Sequence, residues 1–214
     1  MTSRNGAQIH VADEVVLDGR LALFHQQYRW LAVADLHFGF ELSHRSAGNL
    51  FPLWGMQTIQ TRLQELLNEY EPATLILLGD LVHDRSAATP FATFVEELKT
   101  VTQVVLISGN HDRHFAKQAG VVQEWQDRGF CFLHGHCELD RANFIQVIGH
   151  HHPAHVVRDG AGLRLKLPAF VQQDRCWIMP AFSPWAAGTV WSEDDQARIW
   201  LCSPTRIIQT AISG

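Results

Sequence analysis

The sequence has no apolar run approaching the roughly 18 residues that a membrane-spanning helix requires. Its polar start, Met1 to Gly6, lacks the basic end and uninterrupted apolar stretch of a secretory signal, so a cytoplasmic protein with no membrane partner is expected. Cysteine is scarce. Cys131, Cys137, Cys176 and Cys202 form no CxxC pair, and disulfide-stapled domains are usually much shorter, so reduced thiols are expected. Internal repeats, low-complexity tracts and long runs of like charge are missing too. With 8 prolines and 15 glycines spread along 214 residues, 46% of them hydrophobic, the expectation is one domain spanning 1–214. Cationic excess is also lacking: a net charge of -5 argues against a large surface that grips duplex nucleic acid. Divalent ions bound in a site would still let an acidic chain attract one phosphate there.

What the sequence has in quantity is histidine, 13 residues against 17 Lys plus Arg. Imidazole is the most common neutral metal ligand, so the positions of these residues matter. Three short apolar runs end abruptly in polar, chemistry-bearing residues. Trp30 to Ala34 leads into Asp35-Leu36-His37, Thr74 to Leu78 into Gly79-Asp80, and Val104 to Ile107 into Ser108-Gly109-Asn110-His111-Asp112. Buried strands running into loops have this pattern. Between the first two runs, Ile59, Leu63, Leu66, Leu67 and Tyr70 recur at helical spacing. Between the second and third, Thr89-Pro90 reads as an N-cap with proline at the first helical position, followed by the apolar stripe Phe91, Phe94, Val95 and Leu98.

Beyond about residue 129 the texture changes to short strand-like pieces: Phe130 to Leu133, Phe144 to Ile148, Leu163 to Leu167, Cys176 to Met179, Arg198 to Cys202 and Arg206 to Thr210. The expected architecture is α/β, with two sheets packed face to face and helices on their outer surfaces.

Open α/β sheets place their ligands at the carboxyl ends of strands, which is where these polar clusters fall. An extended backbone would aim Asp35 and His37 to one side, letting both share an ion. The two oxygens of Asp80 suit a bridge between two cations, and Asn110 offers an amide oxygen after a glycine that permits a sharp turn. His134 follows one strand, and His150 and His152 flank His151 after another. Each cluster alone is weak, since a lone Asp-x-His is more often chance. Their order and repeated placement carry the case. Mixed carboxylate, imidazole and amide donors suit manganese, iron or zinc in a catalytic site, and the lack of cysteine argues against structural zinc.

The blocks Asp35-Leu36-His37, Gly79-Asp80, Gly109-Asn110-His111-Asp112, His134 and Gly149-His150-His151-His152 resemble, in order, the signature of the calcineurin-like metallophosphoesterases. Ala34 to Gly39, Gly79 to His83 and Met179-Pro180-Ala181-Phe182 look like the ICC-like branch, which includes the bacterial ligase-associated DNA damage response endonucleases of the PdeM group. The resemblance implies a four-layer α-β-β-α sandwich. It implies one metal on Asp35, His37, Asp80 and His152, and a second on Asp80, Asn110, His134 and His150. Two divalent ions are implied, manganese foremost, with iron or zinc as alternatives. His111 would protonate the leaving oxygen or stabilise transition-state charge, with Asn110, His111 and Arg85 contacting substrate. One departure stands out: many relatives carry an aspartate three residues after the bridging one, where this chain has His83, the carboxylate following at Asp84. Arg85 is displaced in the same way.

The implied activity is hydrolysis of phosphodiester bonds in nucleic acid or nucleotides, as in a DNA-repair endonuclease. Alternatives are a phosphomonoesterase or cyclic-nucleotide phosphodiesterase, and a catalytically idle adaptor for a helicase or ligase partner. His10, His25, His44, His114 and His155 read as ordinary surface or core residues, whereas His136 and His151 adjoin ligands and would tune them. The tryptophans read as packing, with Trp54 or Trp185 as alternatives for stacking a base.

Overall fold

A computed structural model of the chain describes residues 6–114, 120–135, 143–158, 160–191 and 197–210. His136 and Cys137 fall outside this set, as does the side chain of His114. Four short strands open the fold: β1 (Gln8–Ala12), β2 (Val15–Asp18), β3 (Ala22–His25) and β4 (Trp30–Ala34). Helices α1 (Phe40–Ser46) and α2 (Gly55–Tyr70) follow, then β5 (Thr74–Leu78), α3 (Ala88–Lys99), β6 (Gln103–Ile107) and β7 (Val121–Val122). The first four strands make an antiparallel meander, and β4 to β7 extend the same sheet in parallel. Parallel neighbours need long crossovers, which the helices provide between β4 and β5 and between β5 and β6.

The second half is strand-rich, as expected. It contains β8 (Glu124–Asp127), β9 (Phe130–Leu133), β10 (Ile145–Ile148), β11 (Pro153–Arg158), β12 (Arg164–Gln173), β13 (Cys176–Ile178), β14 (Thr189–Val190), β15 (Arg198–Ser203) and β16 (Arg206–Gln209). These form a mixed sheet ordered β14-β11-β12-β13-β10-β9-β8, with β15 and β16 branching from β12.

Because successive strand residues point to opposite faces, ring contacts reveal how the layers stack. In β3, the Phe24 ring lies 4.5 Å from Tyr70 of α2, while the next residue, His25, lies 5.5 Å from Phe130 of β9. The first sheet is therefore held between α2 and the second sheet. Trp30 meets Phe130 and Phe132 edge-on at 5.1 and 5.0 Å, a geometry that aromatic quadrupoles favour. On the second sheet, Phe132, Phe170, Trp177 and Trp200 join this inner core, whereas Leu133, Val171, Ile178 and Leu201 face a separate outer cluster. The helical faces are those predicted: Ile59, Leu63, Leu66, Leu67 and Tyr70 are buried on α2, and Phe91, Phe94, Val95 and Leu98 on α3. Among the described residues, α-helices occur only between positions 40 and 99, so this helical layer covers the first sheet.

One expected boundary moves. Thr89 does not cap α3: a 3-10 turn over Arg85–Ala87, capped by Asp84 accepting from Ser86 N at 2.8 Å, runs into the helix at Ala88. Pro90 falls in the first helical turn, where a missing N–H leaves no bond unmade.

A buried polar network fastens the opening strands to α2. Asp18 accepts from Arg20 Nε at 2.9 Å, Arg20 Nη2 at 2.7 Å and the Tyr70 hydroxyl at 2.8 Å, and Arg20 also pairs with Glu69 at 2.6 Å. Burial works against the Asp18 charge, but the hydrogen bonds from Arg20 and Tyr70 outweigh it and hold the carboxyl below its ordinary range. A depressed folded-state pKa contributes stability above the ordinary carboxylate pKa, and the contribution is lost as pH falls through the folded value. Asp18→Asn should therefore cost about 3 kcal/mol at neutral pH, by weakening the pairing of a buried guanidinium. The difference from the parent should shrink as pH drops below about 4; urea unfolding as a function of pH checks both.

Candidate metal centre

The parallel strands β4, β5 and β6 run in register, with Ala34, Leu78 and Ile107 paired at their carboxyl ends. Asp35, Asp80 and Asn110 thus leave the first sheet along one edge. In the second sheet Leu133 and Ile148 pair in the same way, so His134 and the Gly149–His152 segment emerge side by side. The two ends are joined by an isolated bridge between Ala34 and Ala181, with Phe182 N donating to Ala34 O at 2.7 Å. The Met179-Pro180-Ala181-Phe182 segment therefore returns the chain to the root of Asp35.

The side chains converge through left-handed backbone. φ is +54° at Asp35, +42° at His37, +42° at Asp80, +68° at His150 and +46° at His152. Such conformations cost roughly 1 kcal/mol or more each in a non-glycine residue, and they gather where function requires them. This corrects the extended reading of Asp35-Leu36-His37. Both residues turn into the pocket, while Leu36 is fully buried between them.

Two groups of donors result. His37 Nε2 lies 3.4 Å from His152 Nε2 and 3.7 Å from Asp80 Oδ2. On the other side, His134 Nε2 lies 3.4 Å from Asp80 Oδ1, 3.0 Å from Asn110 Oδ1 and 3.2 Å from His150 Nδ1. His37, Asp80 and His152 form one triad of mutually close donor atoms, and Asp80, His134 and His150 form another. Asp35 borders both: its Oδ1 is 3.6 Å from His152 Nε2 and 3.5 Å from His134 Nδ1, and it accepts the His150 backbone N–H at 2.9 Å through Oδ2.

Several further groups hold the pocket in ways the sequence motifs do not spell out. Asp112, fully buried, accepts from Leu81 N at 3.1 Å, Val82 N at 3.1 Å and Gly109 N at 2.7 Å, lashing the loop after β5 to the loop after β6. A methyl group at Gly109 would fall 2.2 Å from Asp80 Oδ1, one at Gly79 2.0 Å from His134 Nδ1, and one at Gly149 2.6 Å from Asp35 Oδ2. Glycine is needed at these positions because the donors occupy the space. His83 joins His37 and His111 in a third cluster of three imidazoles, its ring 5.9 Å from that of His111. Asp84, by contrast, is occupied with Ser86. His111 is exposed, but its backbone N–H donates to Asp80 Oδ1 at 3.0 Å, anchoring it beside the carboxylate common to both triads. Arg85 sits exposed in the 3-10 turn beyond His83 and Asp84. His151 is exposed and its ring lies 5.3 Å from that of His150.

The family model for calcineurin-like phosphoesterases matches residues 28–165, a span that contains every one of these donors. This chain belongs to the calcineurin-like phosphoesterase family. The crystal structure of the Pseudomonas putida nuclease MPE is similar to it, with a TM-score of 0.76 and 27% identity over 96% of this chain and 100% of that one. YfcE, a phosphoesterase from E. coli, is a remoter match at 15% identity and a TM-score of 0.46, covering 86% of this chain and 99% of that one. No curated protein sequence matches the chain. The calcineurin-like phosphoesterases are hydrolases that use divalent metal ions, and the α/β sandwich with two mixed sheets is their fold.

Burial pushes the Asp35 carboxyl up to about 6, and burial likewise drives the His37 imidazole down to about 3. For His152, burial opposes protonation but the Asp35 carboxylate prevails and raises its pKa. Among the described residues no Lys or Arg pairs with Asp35 or Asp80; their close partners are imidazoles. Buried carboxylates without a fixed cation, set among imidazole nitrogens, fit divalent ions.

The lashing by Asp112 is separable from any metal. Asp112→Ala would leave three buried backbone N–H groups without their acceptor, at about 1 to 3 kcal/mol each. A loss of at least about 3 kcal/mol in metal-free urea unfolding is the expected result.

Proposed function

We propose that this calcineurin-like phosphoesterase hydrolyses phosphodiester bonds of nucleic acid or nucleotide-like substrates, using two divalent cations with manganese as the preferred ion. The observation that carries the reading is the disposition of Asp80: Oδ2 faces His37 Nε2 at 3.7 Å, and Oδ1 faces His134 Nε2 at 3.4 Å. One carboxylate thus addresses two donor groups. Asp35, His37, Asp80 and His152 would hold one ion, and Asp80, Asn110, His134 and His150 the other. Such ions, when bound, neutralise phosphate charge and lower the pKa of water.

The protein's own groups do the rest. Asn110 and the exposed ring of His111 reach the substrate side, and the His111 N–H to Asp80 bond at 3.0 Å fixes where that ring begins. His111 donates a proton to the leaving oxygen or offsets charge on the phosphoryl group. Arg85, exposed on the 3-10 turn that follows His83 and Asp84, supplies a further cation for phosphate. The choice of nucleic acid is supported by the similarity to the Pseudomonas nuclease, which extends over almost the whole of both chains.

Asp80→Ala should lose bound metal and activity together. His111→Ala should keep most of its metal while turnover falls by roughly 10²- to 10⁴-fold. Elemental analysis of both variants, with turnover of a model diester and a model monoester in manganese, checks the reading. Full metal loading in both variants would overturn the ligand assignment, and a preference for the monoester would overturn the diesterase.

A further inference from the structure

The loop between α1 and α2 is unusually apolar for an exposed segment: Leu50 is 102% exposed, Leu53 47% and Trp54 44%. Its two aromatic residues, Phe51 and Trp54, join rings from other parts of the chain. Starting at the candidate metal centre, the His37 ring lies 5.9 Å from His83, His83 lies 4.7 Å from Phe40, Phe40 stacks on Trp185 at 5.8 Å, and Trp185 lies 4.3 Å from Trp54. Phe51 and His44 flank this row, with Phe51 4.8 Å from Trp185 and 4.9 Å from His44. Rings therefore run without a break from a donor of the centre to solvent.

The row is held from beneath. Glu41, 1% exposed, accepts from Trp185 Nε1 at 3.1 Å with one oxygen and from Met56 N at 2.7 Å with the other. This carboxylate joins the indole to the first turn of α2. The indole also occupies the space above Gly55, where a methyl group would come within 2.0 Å of Trp185 Nε1. Trp185 is thus fixed, and the partly exposed Trp54, the residue before Gly55, packs against it. Arg45 on α1, exposed, donates to Phe51 O at 3.3 Å, and Arg85 is exposed on the 3-10 turn that packs against α1.

We infer that the row from Phe40 to Trp54 is a stacking platform for unpaired nucleobases flanking the phosphate held at the metal centre. The inference rests on the nucleic-acid reading of that centre. Fixed aromatic faces beside cations suit a polyanion whose bases are free of a duplex, and every base has a face to stack. Continuity with the centre selects this occupant over a protein partner, because whatever lies on Phe40 and Trp185 adjoins the reacting phosphate.

The test compares two single-stranded oligonucleotides of equal length, one carrying its bases and one abasic, as ligands of the full chain in manganese. Fluorescence anisotropy in the slow His111→Ala background gives each Kd, and turnover of both is measured in the parent. The base-bearing strand should bind about 5- to 100-fold more tightly. Adding Trp54→Ala should bring the ratio of the two Kd values towards one, and Trp54→Phe should restore most of it. Equal affinities before substitution, or a ratio indifferent to Trp54→Ala, would overturn the platform. Hydrolysis of neither strand by the parent would overturn the phosphodiesterase reading instead, and the Kd ratio would still decide the platform.

Discussion

The site depends on strand ends that are level with one another. Ala34, Leu78 and Ile107 are register partners in one sheet, and Leu133 pairs with Ile148 in the other. Parallel strands in register deliver their following loops at one height, so segments far apart in the chain meet without long excursions. The Ala34–Ala181 bridge then aligns the two sheets at that edge. A slip of one residue in any of these pairings would turn inward-facing rings outward and move a donor out of the pocket.

Once the loops meet, the backbone has to tolerate what the pocket demands. Five donor residues adopt left-handed φ, and three glycines lie where a methyl group would strike a donor. These conformations persist because surrounding contacts impose them. Asp112 ties Leu81, Val82 and Gly109 together, and the Trp30, Phe130 and Phe132 contact locks the sheets behind the site. Rigidity of this kind keeps buried carboxylates and imidazoles in place even though burial disfavours their charged forms.

The same rigidity extends outward. Glu41 fixes Trp185, and through Gly55 and Met56 it also fixes the start of α2, so the aromatic row and the helix that braces the first sheet share one anchor. A net charge of -5 argues against a broad cationic surface for a polyanion. Ring surface next to a few cations is a means of binding that does not require one.

Much of this architecture is legible in the order of the residues. The apolar stripes of α2 and α3, the strand-rich second half and the succession of donor residues follow from local rules, because helical period, strand period and polar strand ends are properties of neighbouring residues. Thr89 has the chemistry of a cap, yet Asp84 and Ser86 begin the helix earlier by a 3-10 turn, a competition between two plausible caps that local pattern does not rank. Asp112 stands out in its motif, but its tie to Leu81 and Val82 and the approach of His83 to His111 join residues about thirty positions apart and carry no local signal. The sequence by itself determined which side chains are available to hold ions and which faces of each element are apolar. Only the tertiary structure decided that Asp80 addresses two imidazole groups, that Asp35 and His37 reach the pocket by left-handed turns, and that Trp54 stands at the end of a ring path from the centre. Those facts depend on register and on contacts between residues remote in sequence, where the free energy of packing outweighs local preference.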